Sequence, residues 1–300
     1  MSSTLPLPPG ANTVAGKGDY ETIGHEFLDY FVRFGGLKAH HRVLDVGCGI
    51  GRMARPLTEF LDASGRYEGF DVMGAGVHWC RQNITPRYPR FRFRRARVYN
   101  PVYNRWHGWY SGAEYVFPYR SNSFDFVFLT SVFTHMRPAE VENYVREINR
   151  VLKVGGRCFA TYFLQTPETL RAGRAGRGSL NFVHRCDGYW IDSPDDPHEA
   201  AICFDESGVL RLYERCGLAP VGPVRRGSWS GRDEHVSYQD ILVAEKVRQV
   251  RFARTPAPVR AIRAWSRYGG RAARALVRRA VRVCGLRPQA TARTAKNQAA

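Results

Sequence analysis

Val43-Leu44-Asp45-Val46-Gly47-Cys48-Gly49-Ile50-Gly51-Arg52 reads as a short buried strand, a glycine-rich turn and the opening of a helix. Three glycines at alternate positions let the backbone turn tightly, and without β-carbons they leave room for a ligand lying over the turn. Asp45, at the end of the strand, places a fixed carboxylate beside that opening. A dinucleotide fingerprint, G-x-G-x-x-G, would need a third glycine where Arg52 stands, so an NAD reading is weak.

Working outward, Ile23, Phe27, Tyr30, Phe31 and Phe34 recur at helical spacing and predict a helix over Tyr20 to Phe34, ended by Gly35-Gly36. Residues 1–18, rich in proline and glycine, read as a flexible leader. After the turn a helix runs through Met53, Leu57, Phe60 and Leu61. Tyr67-Glu68-Gly69-Phe70-Asp71 then reads as a second strand, ending in an acid twenty residues beyond Gly51. In a Rossmann-like unit the second strand lies beside the first and ends at the same crevice, where a carboxylate meets ribose hydroxyls. Taken alone, Asp71 would be an ordinary strand-end turn residue.

A helix over Gly74 to Asn83 leads to a third strand, Phe91 to Val98, and an aromatic, turn-rich stretch with Tyr99 to Tyr103 and Trp106 to Tyr110. That stretch is either a loop over the crevice or a surface loop packed for stability. Ser123 to Ser131 is a run of β-formers suited to a fully buried parallel strand, so Val132-Phe133-Thr134-His135-Met136 follows at the crevice mouth. Pro138 to Leu152 carries an apolar helical stripe of Val141, Tyr144, Val145, Ile148 and Leu152. Lys153-Val154-Gly155-Gly156 stops it, and Arg157 to Leu164 makes strand five. Gln165 to Phe204 is an insertion too long for an ordinary loop and a natural substrate cover. Glu206 to Cys216 forms the last helix, and Pro220 to Val224 with Tyr238 to Ala244 form the final strand pair.

The chain has 300 residues, and no apolar run approaches the roughly 20 residues needed to cross a bilayer. Met1 to Gly18 lacks the basic and apolar segments of a signal peptide, so a cytoplasmic location is expected. The seven cysteines form no C-x-x-C pair and fit reduced thiols. The net charge of +18 is uneven. Residues 246–300 hold fifteen Lys and Arg and no acid, leaving residues 1–245 with 30 basic against 27 acidic side chains. Arg260, Arg263, Arg267, Arg271, Arg274, Arg278 and Arg282 recur every three or four positions, with Ile262, Trp265, Leu276 and Val283 on other faces. Residues 259–284 thus read as a basic amphipathic helix suited to an anionic membrane surface, or as a solvated arginine-rich extension.

The Val43 to Arg52 stretch resembles motif I of class I S-adenosylmethionine (SAM) dependent methyltransferases, hydrophobic-hydrophobic-Asp/Glu-x-Gly-x-Gly-x-Gly. Leu152-Lys153-Val154-Gly155-Gly156 resembles the Leu-Lys-Pro-Gly-Gly turn of many of them, and Phe124-Asp125 their motif IV strand. The resemblance spans roughly residues 20 to 245. It implies a Rossmann-like α/β fold with a seven-stranded, mostly parallel sheet and helices on both faces, here followed by the basic C-terminal extension. The implied organisation is a leader (1–18), a methyltransferase domain (19–245, with 165–204 as substrate cover) and a tail (246–300).

The cofactor implied is SAM. Asp45 is expected near its ammonium, Gly47, Cys48, Gly49 and Gly51 under it, Asp71 at its ribose and Thr130 beside it at the end of strand four. Arg52 either meets its carboxylate or caps acids on the first helices. Relatives commonly carry an acid near the end of strand three, close to the adenine, where this chain has Ala96 and Arg97. His135 is the candidate general base, against the alternative of a histidine bonded to backbone near a helix start. His184 and His198 with Asp192, Asp195 and Asp196 could supply a base or an oxygen-ligated magnesium, or form a solvated acidic loop; no metal is expected. Asn100-Pro101-Val102-Tyr103 faintly resembles a signature of methyltransferases acting on nucleic-acid bases, but it precedes strand four instead of following it. The expected reaction is methyl transfer to an oxygen of a small-molecule or carbohydrate-like acceptor. The alternative is a silent Rossmann-like scaffold whose tail binds anionic membrane or nucleic acid.

Overall fold

Short runs of β-branched and aromatic residues, buried along most of their length, build the centre of one sheet. The computed structural model describes residues 5–11, 18–100, 108–192 and 201–252. The elements are α1 (Tyr20–Arg33), β1 (Arg42–Val46), α2 (Ala54–Phe60), β2 (Arg66–Asp71), α3 (Gly74–Asn83), β3 (Phe91–Arg95), β4 (Phe124–Leu129), α4 (Pro138–Val151), β5 (Leu152–Gln165), α5 (Pro167–Arg174), β6 (His184–Cys186), β7 (Tyr189–Ile191), β8 (Ile202–Asp205), α6 (Glu206–Arg215), β9 (Leu218–Pro220) and β10 (Asp240–Lys246).

Strands β3-β2-β1-β4-β5 are parallel neighbours, β10 pairs antiparallel with β5, and β9 with β10. These seven strands are the expected sheet. One apolar cluster joins Leu44, Val127 and Tyr162 to α4 and α6; another joins Val43, Phe126 and Phe128 to α1, α2 and α3. Helices therefore cover both faces. The chain order reverses between β1 and β4, which opens a crevice at the carboxyl ends of those two strands.

The insertion builds more than a loop. Its β8 runs parallel to the last residues of β5, and the β6–β7 hairpin adds to β8, so the sheet gains three strands beyond the expected seven. Strand β5 therefore forks, with β10 beside residues 157–162 and β8 beside 163–165. Asp240 sits in the fork. Its carboxylate accepts the amides of Leu164 (2.9 Å) and Gly227 (2.9 Å) and the Trp229 indole N–H (2.8 Å), which satisfies a buried charge with three donors.

Several boundaries differ from expectation. The Lys153–Gly156 turn is a bulge inside β5: Phe124 faces Leu152 and Phe126 faces Arg157, so β5 accommodates three extra residues, with Gly155 at φ +79°. Strand three stops at Arg95, and Val98 makes only an isolated bridge to Tyr110. The last strand pair begins earlier at Leu218 and ends later at Lys246, because Pro220, Gly222 and Pro223 break the earlier segment.

The leader and tail boundaries also need correction. Residues 5–11 are docked: Leu5 is buried in the α2 core, and buried Arg55 donates to the Leu5 (2.7 Å) and Pro6 (3.0 Å) carbonyls while pairing with Glu21 at 2.7 Å. Residues 246–252 belong to the fold. The buried Lys246 ammonium donates to Asn122 Oδ1, the Leu152 carbonyl and Gln249 Oε1, and Asn149 accepts the Val250 amide. The basic pattern over 259–284, residues Pro101 to Trp106, and Asp195, Asp196, His198 and Glu199 lie outside the described residues.

Candidate functional site

The glycine turn leaves β1 and folds back onto β2. The amides of Gly47 and Cys48 donate to the Phe70 carbonyl (2.9 and 3.1 Å), and the Gly49 amide donates to Asp71 Oδ2 (2.7 Å). The other Asp71 oxygen accepts the Met73 amide at 2.7 Å. Asp71 is therefore oriented by the turn and by its own chain. Burial raises its pKa against the lowering effect of these amides.

The three glycines serve different ends. All have positive φ, at +97°, +51° and +82° for Gly47, Gly49 and Gly51. A β-carbon on Gly47 would lie 2.4 Å from Val132 Cγ2, and one on Gly51 would lie 2.9 Å from Cys80 Sγ and 3.0 Å from Ile84 Cδ1. A β-carbon on Gly49 would meet nothing within 4 Å. Only Gly49, then, bares the turn to open space. The other two allow the end of β4 and helix α3 to pack close.

Beneath the turn Asp45 is buried, and its Oδ2 accepts the Tyr67 hydroxyl at 2.6 Å. Its Oδ1 has no hydrogen-bond partner. Burial raises its pKa to about 8, which the Tyr67 bond opposes and the Asp71 charge reinforces. Cys48 is buried as an inert thiol, its pKa raised well above the ordinary value by burial. On the other side Arg52 Nε and Nη2 are buried without hydrogen-bond partners. Desolvation lowers the Arg52 pKa, opposed by Tyr20 and Asp19. Arg52 makes no ion pair with the acids of α1, whereas Arg55 takes Glu21. Beneath and beside the turn, then, lie a carboxyl group with one unpartnered oxygen and a guanidinium with unused donors, these atoms all buried. Such a site suits a ligand bearing both a cation and a carboxylate.

The end of β4 forms the other wall. Thr130 is half-buried there, and Ser131 holds φ +56°, a left-handed conformation costly for a residue with a β-carbon. Its amide donates to buried Thr161 Oγ1 (2.8 Å) and its hydroxyl to Gln239 Oε1 (3.1 Å). Val132 touches the glycine turn. His135 ends a short 3₁₀ turn, Phe133–His135, with its side chain at the surface. Surrounding protein atoms still crowd the ring enough to lower its pKa, an effect opposed by Asp192 of the insertion. The imidazole is therefore neutral at neutral pH. Its amide donates to the Val132 carbonyl (3.1 Å), a local turn bond that leaves the ring uncommitted to backbone.

Asp45, Gly47, Cys48, Gly49, Gly51 and Asp71 lie together where β1 and β2 end, and Thr130 and His135 follow the end of β4, where Val132 touches Gly47. Tyr67, Ser131 and Gln239 went unrecognised. Tyr67 matters through the β1–β2 register, which pairs Asp45 with Gly69, two residues further along its strand. At the end of β3 no acid takes the place of Ala96. Its amide donates to the Asp71 carbonyl (2.7 Å), and Arg97 stacks on Trp109 at 4.6 Å. His184 lies exposed on β6, and Asp192 Oδ1 accepts the Ala201 amide (2.9 Å).

Comparison with known proteins bears on the fold. Residues 44–160 match the family model described as a methyltransferase domain. Among solved structures, the PH0226 protein of Pyrococcus horikoshii superposes with a TM-score of 0.55 at 15% identity, covering 80% of this chain and 96% of that one. A protein from Methanosarcina mazei described as a SAM-dependent methyltransferase superposes with a TM-score of 0.50 at 17% identity, covering 72% and 97%. At such identities the structural matches show the fold.

Proposed function

We propose that this chain, whose residues 44–160 match a methyltransferase domain model, is a class I S-adenosylmethionine-dependent methyltransferase that uses SAM to methylate an oxygen of a small-molecule or carbohydrate-like acceptor in the crevice between β1 and β4. SAM supplies a methyl group on a sulfonium, so the protein's task is to bind, orient and exclude water. Gly49 leaves the cofactor room. The free lone pair on Asp45 takes its ammonium, the spare donors of Arg52 take its carboxylate, and Asp71 takes its ribose hydroxyls on the lone pairs its amide partners leave open. Gly47, Cys48 and Gly51 shape the turn beneath, and Thr130 borders it. The carrying observation is the pair of unpartnered buried groups, Asp45 Oδ1 and Arg52 Nε and Nη2, together with Gly49, where an added β-carbon would meet nothing within 4 Å.

An oxygen acceptor is supported by what stands at the end of β4. Neutral His135 can take the proton that a hydroxyl loses as its oxygen is methylated. Ser131 and Gln239 line the same mouth with a hydroxyl and an amide. The arginine pattern of 259–284 adds attachment to an anionic membrane surface, which would place the protein peripherally on the cytoplasmic side. Two measurements test the assignment. Calorimetry should show binding of SAM and of S-adenosylhomocysteine, and a screen with methyl-labelled SAM should find labelled product among hydroxylated acceptors. Absence of cofactor binding would sink the site. Label appearing only on amines or thiols would sink the oxygen acceptor.

A further inference from the structure

The globular part, close to neutral as a whole, is electrically polarised. Residues 72–113 contain eight arginines and no Asp or Glu. Of the 30 basic and 27 acidic side chains in residues 1–245, the remainder holds 22 against 27 and is therefore acidic. The fold gathers six of them at one edge. Among the described residues β3 pairs only with β2 and ends the sheet, and Arg92, Arg94 and Arg95 lie on it. Arg81 at the end of α3, Arg87 in the connection and Arg97 after β3 complete an exposed row. Guarding a sheet edge against pairing takes only a charge or two on the strand itself. Here the charge extends over the helix and both flanking connections. Trp109 stands beside the row, 54% exposed, its ring under the Arg97 guanidinium.

We propose that this edge is a docking surface for an anionic phospholipid bilayer. Clustered arginines attract the surface charge of such a bilayer, and an amphipathic indole next to them settles at the headgroup level. Single-stranded nucleic acid would call for successive exposed rings on which bases stack. On this stretch Trp109 is the one large aromatic side chain exposed by half or more among the described residues. The surface is independent of the cofactor turn yet adjoins it, since the Ala96 amide bonds to the Asp71 carbonyl.

The test uses full-length protein and sedimentation with vesicles of phosphatidylcholine alone or with 30% phosphatidylserine, at about 0.1 M salt where screening still permits the interaction. Wild type should bind the anionic vesicles only. Arg87→Glu with Arg92→Glu should weaken that binding at least tenfold, and Trp109→Ala by a smaller factor, with SAM affinity and the melting curve unchanged. A variant with Arg260, Arg263, Arg267, Arg271, Arg274, Arg278 and Arg282 all replaced by glutamine separates the C-terminal arginine pattern, and the edge effect should persist in it. Binding of the double variant within twofold of wild type overturns the proposal, as does equal binding to neutral vesicles. Charge-reversal-sensitive binding to an oligonucleotide without vesicle binding would also overturn it in favour of nucleic acid.

Discussion

Replacing Gly49 and Gly51 one at a time by alanine should separate the two jobs of the glycine turn. At Gly49 the new methyl group meets no protein atom within 4 Å, and the cost is the left-handed backbone at φ +51°, about 1 kcal/mol. Reduced freedom of the unfolded chain returns roughly 0.4–1 kcal/mol of that. The melting temperature should therefore fall by no more than about 2–4 °C. At Gly51 the same backbone cost, at φ +82°, adds to a methyl 2.9 Å from Cys80 Sγ and 3.0 Å from Ile84 Cδ1, both fully buried. Overpacking of that kind costs about 1–3 kcal/mol, so Gly51→Ala should melt markedly lower. Binding should run the other way. The Gly49 methyl projects into the space the cofactor is assigned, and SAM affinity should drop at least about tenfold, or 1.4 kcal/mol. Thermal unfolding and calorimetry at one pH and salt concentration read both quantities. Gly49→Ala binding SAM within twofold of wild type would refute the placement of the cofactor over this turn.

Asp45 yields a second prediction, with a definite sign. Its folded pKa of about 8 lies above the unfolded 3.8, so its contribution to stability is complete below about pH 4 and is lost as pH rises towards 8. Asp45→Asn should remove that decline, which amounts to at most about 1.4 kcal/mol per pH unit, and denaturant unfolding at pH 5 and pH 8 shows whether it does. SAM binding at pH 7 should release close to one proton as its ammonium ionises Asp45, visible as buffer-dependent calorimetric heat; zero release would remove Asp45 from the ammonium site. His135→Gln should lower turnover about a hundredfold or more with SAM affinity unchanged. Because burial lowers the imidazole pKa, the wild-type rate should hold down to below pH 6.5. Asp240→Ala strands three buried N–H donors and should cost about 3 kcal/mol or more, lowering the melting temperature by several degrees.

Most of the scaffold was legible because it rests on local chemistry. The apolar runs of β1, β2 and β4, the stripe of α4 and the acid at position 71 carry their own signals. The details that failed depend on partners distant in the chain. The leader docks because Arg55 and the α2 core receive it. Lys246 joins the sheet because Asn122 and Leu152 offer its ammonium acceptors. The turn at residues 153–156 becomes a bulge because Phe124 keeps its pairing with Leu152. Tyr67 was invisible as a partner of Asp45 until the strand register brought its hydroxyl, from two residues back on β2, onto the Asp45 carboxyl.

By itself the sequence determined the doubly wound architecture and the glycine turn, since periodicity and turn chemistry act over a few positions. Only the tertiary structure decided which glycine faces open space, which carboxylate and guanidinium lack partners, and that the arginines of residues 81–97 share one sheet edge. Those properties belong to distances between elements. They arise when β1, β2 and β4 come together and α3 closes over Gly51, and they vanish when the chain is unfolded.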